Sequence, residues 1–248
     1  MFSFEGKTAI VTGGTRGIGL EVSRILFEAG ANIVASYAKN RDAAKVLEAK
    51  CPGVVTLAGD IGDESAAVEL VDTAFREFGS VDVLVNNAGI WNYLAAGSFQ
   101  VDVWDHMVRN NLRSVYLVTD YLVSRWLKKG AKGRIVHVAS TAGQRGEAEH
   151  AHYAATKGAI ISYTKSLSSE LAPRGIITNC VAPGWVDTDM NTEVFADGGK
   201  AVVAAGIPLG HVPTAEEIAW PIVFLASERA SAITGEILNA NGGNVLCG

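Results

Sequence analysis

Cysteine is scarce in these 248 residues: Cys51, Cys180 and Cys247 stand far apart, with no CxxC pair and no histidine cluster beside them. That argues against a disulfide framework or a zinc-ribbon site, and reduced thiols in a cytoplasmic protein are the simplest account. No apolar run reaches the roughly 20 residues that cross a bilayer. Met1 runs almost directly into a glycine-rich stretch, which leaves no room for a signal peptide. Basic clusters are missing too. Lys and Arg number 21 against 26 Asp and Glu, a formal charge of −5, so neither a nucleic acid nor a membrane surface is an expected partner. No repeat, low-complexity tract or linker breaks the chain. One domain over residues 1–248 is expected, long enough to bury a sizeable core.

What is present is alternation. The β-branched run KTAIVT (7–12) leads directly into GGTRGIG (13–19), and LEVSRILFEAG then carries apolar residues at helical spacing up to Gly30. Strand, glycine turn and helix make the first half of a dinucleotide-binding unit. In it Gly13 closes a tight turn, Gly17 lets backbone approach a pyrophosphate, and Gly19 lets helix pack on strand. Thr15, Arg16 and Ile18 fill the same turn, and the helix after it offers free N–H groups and a positive dipole end to phosphate. Further on, GVVTLAG, VDVLVNNAG, GRIVHV and GIITNCVAPG alternate with helical patterns over 68–78, 102–127, 152–172 and 215–226, ending in a strand near 235–239. This alternation predicts an α/β fold: a Rossmann-like doubly wound parallel sheet of about seven strands, with helices on both faces.

The second strand, ANIVASYA, ends in Ser36, Tyr37 and Ala38, where an NAD-binding unit places a carboxylate on the ribose hydroxyls. Lys39 and Arg41 follow, and Arg16 lies in the glycine turn. Three cations and no carboxylate suit a 2′-phosphate, so NADP(H) is favoured over NAD(H). Taken one at a time, Lys39 and Arg41 read equally well as solvated cations at a helix start.

Tyr153 and Lys157 stand four residues apart on a strongly helical run, HYAATKGAIISYTKSLSSELA, and share a face. An ammonium beside a phenol favours phenolate and lowers a pKa that is about 10 unperturbed. Tyr153 is therefore a candidate acid/base. Such a pair alone is common on helix surfaces, but its context is more telling. KGRIVHVAST is a buried strand leading to Ser140, and Ala154, Ala155, Gly158 and Ala159 give the helix small side chains that admit a backbone or a flat ligand.

Together TGGTRGIG, NNAG (86–89), Asn111 in RNNL, Ser140, YAATK and PGWVDTDM (183–190) resemble the short-chain dehydrogenase/reductase family, in family order through the ending TGEILNANGG. The resemblance implies hydride transfer between a nicotinamide and a ketone or secondary alcohol. It implies that Tyr153 gives or takes the proton, that Lys157 lowers the tyrosine pKa and holds the nicotinamide ribose, and that Ser140 hydrogen-bonds the substrate oxygen. Asn111, chosen over the adjacent Asn110 because leucine follows it, is implied to hold a water linking Lys157 to solvent. By the same carry-over Asp60 and Ile61 flank adenine, while Asn87, Ala88 and Gly89 line the floor beneath the adenosine ribose. Pro183, Gly184, Val186 and Thr188 close over the nicotinamide. A dinucleotide-binding sensor or scaffold is the non-enzyme alternative, and the presence of all four of serine, tyrosine, lysine and asparagine favours an enzyme.

Within the family, SYAKN, PGWVDTDM, IPLGHVPTAEEIA and ITGEILNANGG are most similar to the 3-oxoacyl-acyl-carrier-protein reductases. That implies reduction of a 3-oxoacyl thioester, with Arg174, Lys129 and Lys132 offered to an acidic carrier protein. The same cations also read as an ordinary solvated surface. Trp91 and Trp185 are bulky for such a pocket and GQRGEAEHAH is rich in charge and histidine, which keeps a sugar, polyol or aromatic ketone open. Both tryptophans also fit core or interface packing. Residues 185–212, with Gly198, Gly199, Gly206 and Pro208, interrupt the alternation and are expected to form a substrate lid. Apolar residues lie on more than one side of 102–127 (Val115, Leu117, Val118, Tyr121, Leu122) and of 152–172 (Ile160, Ile161, Tyr163, Leu167), and Val245-Leu246 ends the chain. The family resemblance assigns this surplus to a homotetramer, and internal packing is the alternative.

Overall fold

Thr8–Thr12 forms β1 with every residue buried, as a strand covered by helices on both faces requires. The computed structural model describes residues 3–247. In it β1 lies inside one seven-stranded parallel sheet with β2 (Asn32–Tyr37), β3 (Val55–Ala58), β4 (Val83–Asn86), β5 (Gly133–Val138), β6 (Ile176–Pro183) and β7 (Ile237–Ala240). The strand order is β3-β2-β1-β4-β5-β6-β7. It reverses between β1 and β4, and a crevice at the carboxyl ends of the strands follows from that switch. Register keeps those ends level: Thr12 pairs with Asn86 and Val138 with Val181.

Adjacent strand residues face opposite layers, as the period of two demands. On one side Val11, Val85, Val136 and Val181 pack under α1 (Gly17–Glu28) and α10 (Ala215–Ala226). On the other, Ile10, Leu84 and Ile135 meet α3 (Glu64–Phe78) and α5 (Ser114–Lys129). Trp126 of α5 is 1% exposed, and its indole N–H donates to the Val81 carbonyl at 2.7 Å. The side chain leans on Gly133, where any Cβ would lie 2.4 Å from the ring, so β5 has to begin with glycine. α2 (Arg41–Lys50) covers the β2–β3 edge.

One sequence expectation is corrected, and two pairs of alternatives left open by the sequence are narrowed. The helix expected over 102–127 is α4 (Val101–Val108), a π-helical turn (Arg109–Arg113) and then α5. The wide turn carries one extra residue, so Asn111 points inward and Ser114 Oγ takes up the Asn110 carbonyl at 2.6 Å. Next, of the two roles open to the small residues of α7 (Ala151–Leu171), close approach of another backbone is the one seen at Gly158. There they receive α6 (Thr141–Arg145): a Cβ on Gly143 would lie 2.5 Å from the Lys157 carbonyl carbon, and one on Gly158 would lie 3.2 Å from Gly143 O. Last, much of the apolar surplus is spent within the chain. Val115, Val118, Leu122 and Ile160 are buried, and Leu117, Tyr121, Ile161, Tyr163 and Leu167 pack half-buried against the same clusters. Leu246 is 89% exposed.

Residues 185–212 are built of short pieces, α8 (Thr192–Phe195) and α9 (Gly199–Ala205) among 3₁₀ turns. A bridge between Asp187 and Thr214 ties the base of the segment. Among the described residues no helix is long and apolar enough to cross a membrane.

Candidate active site

A cleft of about 640 Å³ opens at the carboxyl ends of the strands. Its floor is the glycine turn after β1. Gly17 sits at φ +51°, in the left-handed region that glycine adopts without strain. Gly19 leaves no room for a side chain, because a Cβ would lie 2.2 Å from Gly13 O. α1 then starts at the cleft with no side-chain cap and no acidic residue in its first turn. Its free N–H groups and dipole favour an anion there. Asn87 braces the turn, donating to Thr12 O at 3.0 Å and Gly13 O at 3.2 Å. Thr12 Oγ1 accepts from the N–H groups of Asn87 and Ala88, each at 3.0 Å, a role for Thr12 that sequence reading did not find. A glycine cradle, a free helix end and cleft walls from the ends of β2 to β6 fit a dinucleotide.

Of the catalytic and cofactor-binding candidates from the sequence, all but Gly19, Arg41 and Asn111 line this one cleft, while Lys129, Lys132 and Arg174 lie outside its lining. Ser140 caps α6, its Oγ accepting from Ala142 N–H at 3.1 Å. That bond leaves the serine O–H to donate on the cleft side, where it faces the Tyr153 hydroxyl. Tyr153 and Lys157 come from the first two turns of α7. Lys157 is 4% exposed, and Nζ donates to Val138 O at 2.9 Å. With no carboxylate beside it, burial brings its pKa down to about 8. Asn111 is fully buried. It accepts from Ile90 N–H at 2.8 Å and donates to Ile90 O at 2.9 Å, which fixes the strand of backbone between Gly89 and Lys157. Asn110 instead is half-buried and donates to the His106 carbonyl. Asn111 is thus the inward member of the pair, its amide bonded to the Ile90 backbone.

The expected lowering of the tyrosine pKa does not occur in this geometry. Lys157 Nζ is 5.7 Å from the Tyr153 ring centroid. Burial is the larger effect and pushes the phenol up to about 12, against a hydrogen bond with Ser140 and with help from the charge of Glu147. At neutral pH Tyr153 holds its proton.

Nor are the three cations near β2 equally free. Arg16 pairs with Asp189 at 2.7 Å, across the cleft from the glycine turn to the segment after β6. Arg41 is held by Glu48 at 2.6 Å and by Thr56 at 3.1 Å. Lys39 alone is exposed with no ion pair among the described residues. Asp60 accepts from Gly62 N–H at 2.9 Å and pairs with Arg109 at 3.1 Å, so it shapes its loop as well as the cleft wall.

Trp91 and Trp185, left between core and pocket by the sequence, both line the cleft, together with Arg145, Glu147 and Met190. The sequence signalled the tryptophans by size. It carried no signal for Glu147.

Residues 13–244 match the family model described as enoyl-(acyl carrier protein) reductase. Over 241 residues the chain is 38% identical to the 3-oxoacyl-acyl-carrier-protein reductase FabG of Salmonella typhimurium, covering 97% of this chain and 98% of that one. It is 37% identical over 237 residues to the acetoacetyl-CoA reductase of Shinella zoogloeoides, covering 96% and 98%. Among solved structures, a short-chain dehydrogenase/reductase from Brucella melitensis titled glucose/ribitol dehydrogenase superposes with a TM-score of 0.92 at 32% identity, covering 99% of both chains.

Proposed function

This chain belongs to the short-chain dehydrogenase/reductase family, and on that premise we propose that it is an NADP(H)-dependent oxidoreductase interconverting a ketone and a secondary alcohol, with reduction of a 3-oxoacyl thioester as the first reading. One observation carries the proposal. Ser140, Tyr153 and Lys157 reach the same cleft that the glycine turn opens. When bound, the nicotinamide supplies the hydride. Ser140, which faces Tyr153, turns its O–H to the carbonyl oxygen, where negative charge develops. Tyr153, protonated at neutral pH, passes its proton to the same oxygen. Lys157 presents a buried ammonium to the ribose hydroxyls. Asn111 holds Ile90 and with it the backbone on which the ribose rests. The N-terminus of α1 holds the pyrophosphate, and residues 185–212 cover the nicotinamide end. The thioester reading is supported by the names of the FabG and acetoacetyl-CoA reductase relatives. A smaller sugar, polyol or aromatic ketone is the second reading, favoured by the tryptophans in the cleft. A cytoplasmic location, supported by the free thiols, and a homotetramer using the half-buried faces of α5 and α7 belong to the same proposal, as does an acyl carrier protein as partner.

NADP(H) is favoured because residues 36–40, SYAKN, line the cleft without a carboxylate and Lys39 has no other charge to serve. Calorimetric titration is expected to give tighter binding for NADPH than for NADH. Lys39→Ala should weaken NADPH by about ten- to a hundredfold, the worth of a charge-assisted phosphate bond, and Arg41→Ala by much less because Glu48 holds Arg41. Equal or tighter binding of NADH by the unmodified protein would reject the assignment.

A further inference from the structure

The loops after β4 and β5 are stitched together beside Tyr153. Leu94 N–H donates to Glu149 O at 2.8 Å, Leu94 and His150 form a β-bridge, and His152 Nε2 lies 3.1 Å from Asn92 Oδ1. On that seam Trp91 stacks flat on His150, with centroids 4.3 Å apart and planes 6° apart. It meets Trp185 edge-on at 6.0 Å, and Trp185 leans on Phe195 at 6.1 Å. The result is a buttressed aromatic corner in the wall of the cleft.

Glu147 sits in the same wall. It is half-buried, and its carboxylate accepts the Trp91 indole N–H at 3.4 Å. No Lys, Arg or His nitrogen forms an ion pair with it among the described residues. A carboxylate drawn in among rings gives up water that only a donor-rich partner replaces, and ring faces attract positive charge. Its charge is also felt at the reacting phenol.

Resting on the carbonyl and alcohol chemistry assigned above to Tyr153, and on the smaller-ketone reading rather than the thioester one, we infer that the substrate carries an ammonium group close to its reacting carbon, held by Glu147 and the Trp91–Trp185 corner, so that the site selects amino ketones and vicinal amino alcohols. Arg145 is the competing group. It lines the same cleft without an ion pair among the described residues and would draw a carboxylate. It is exposed, where solvent screens its charge, and the rings beside Glu147 disfavour an anion.

Three racemic alcohols of one size separate these cases: 1-amino-2-propanol, 2-butanol and lactate, offered near neutral pH with oxidised coenzyme of either type. kcat/KM for the amino alcohol is expected to exceed that for 2-butanol by about tenfold or more, with lactate lowest. Glu147→Gln should bring the first two within about threefold of each other, and Trp91→Leu should narrow the gap in part. Preference for 2-butanol or lactate, or a gap that neither variant changes, overturns the inference. Reduction of acetoacetyl-CoA with no oxidation of the amino alcohol also overturns it and leaves the oxidoreductase reading intact. If neither acetoacetyl-CoA nor any alcohol reacts, that reading fails instead. Calorimetry then decides the ammonium site alone: tighter binding of 1-amino-2-propanol than of 2-butanol, abolished by Glu147→Gln, supports it, and equal binding ends it.

Discussion

Tyr153→Phe is expected to reduce turnover by about two to four orders of magnitude, the range for a positioned proton donor, while NADPH binding stays near that of the unmodified protein. The phenyl ring preserves the packing, because only the hydroxyl is lost from a side chain held by α7 and facing the cleft. What disappears is the proton that burial keeps on the oxygen up to about pH 12. The pH profile separates the two titrating groups. Reduction needs Tyr153 protonated, which holds throughout the ordinary range, and needs Lys157 charged, which fails as pH rises through about 8. The alkaline fall in reductive kcat/KM should therefore lie near pH 8 and belong to Lys157. Near-normal turnover in Tyr153→Phe would remove the tyrosine from the chemistry.

Acid is expected to destabilise this fold through one buried histidine. His137 lies in β5 directly beneath the site, fully buried. Its Nδ1 is 3.1 Å from Asn86 Nδ2, and Nε2 has no hydrogen-bond partner among the described residues. Burial, aided by the nearby Lys157 charge, lowers its pKa from 6.5 to about 3. Above pH 6.5 the native and unfolded chains both hold it neutral. Between 6.5 and about 3 only the unfolded chain binds the proton, so stability is lost as pH falls through that window, by up to about 1.4 kcal/mol per unit. Across the whole window the loss is on the order of 5 kcal/mol. Urea titrations from pH 8 to pH 4 measure it. His137→Asn keeps an acceptor for Asn86 and should show a shallower acid slope even though the smaller side chain lowers stability at pH 8. Equal slopes would place the acid sensitivity elsewhere.

Local signals explain what was legible in the sequence. α10 was bounded correctly at 215–226 because Thr214 and Glu217 form a capping box, each bonding the other's backbone N–H. The strands are legible as short apolar, largely β-branched runs between turn signals, whereas their order in the sheet, and with it the switch point, comes from the pairing. Charges paired over long separations were not legible. Arg16 is tied to Asp189, 173 residues away in sequence, a pairing with no local mark, and Arg41 is held by Glu48 two turns along its own helix. The π-helical turn at 109–113 was hidden because RNNL fits an ordinary helix by propensity. Only the bonds from Asn111 to Ile90 account for the extra residue. Glu147 stood in a charged stretch with nothing local to mark it, and its setting arises from Trp91, 56 residues earlier.

Hydride transfer between a nicotinamide and a carbonyl carbon is tested most directly with NADPH deuterated at C4, prepared separately in each of its two faces, and a ketone panel that includes acetoacetyl-CoA and an amino ketone. Mass spectrometry of the alcohol formed should find deuterium on the carbinol carbon with one labelled face and protium with the other, and Tyr153→Phe should slow its appearance. An alcohol without deuterium from either face, or no reduction of any ketone in the panel, would contradict hydride transfer by this chain.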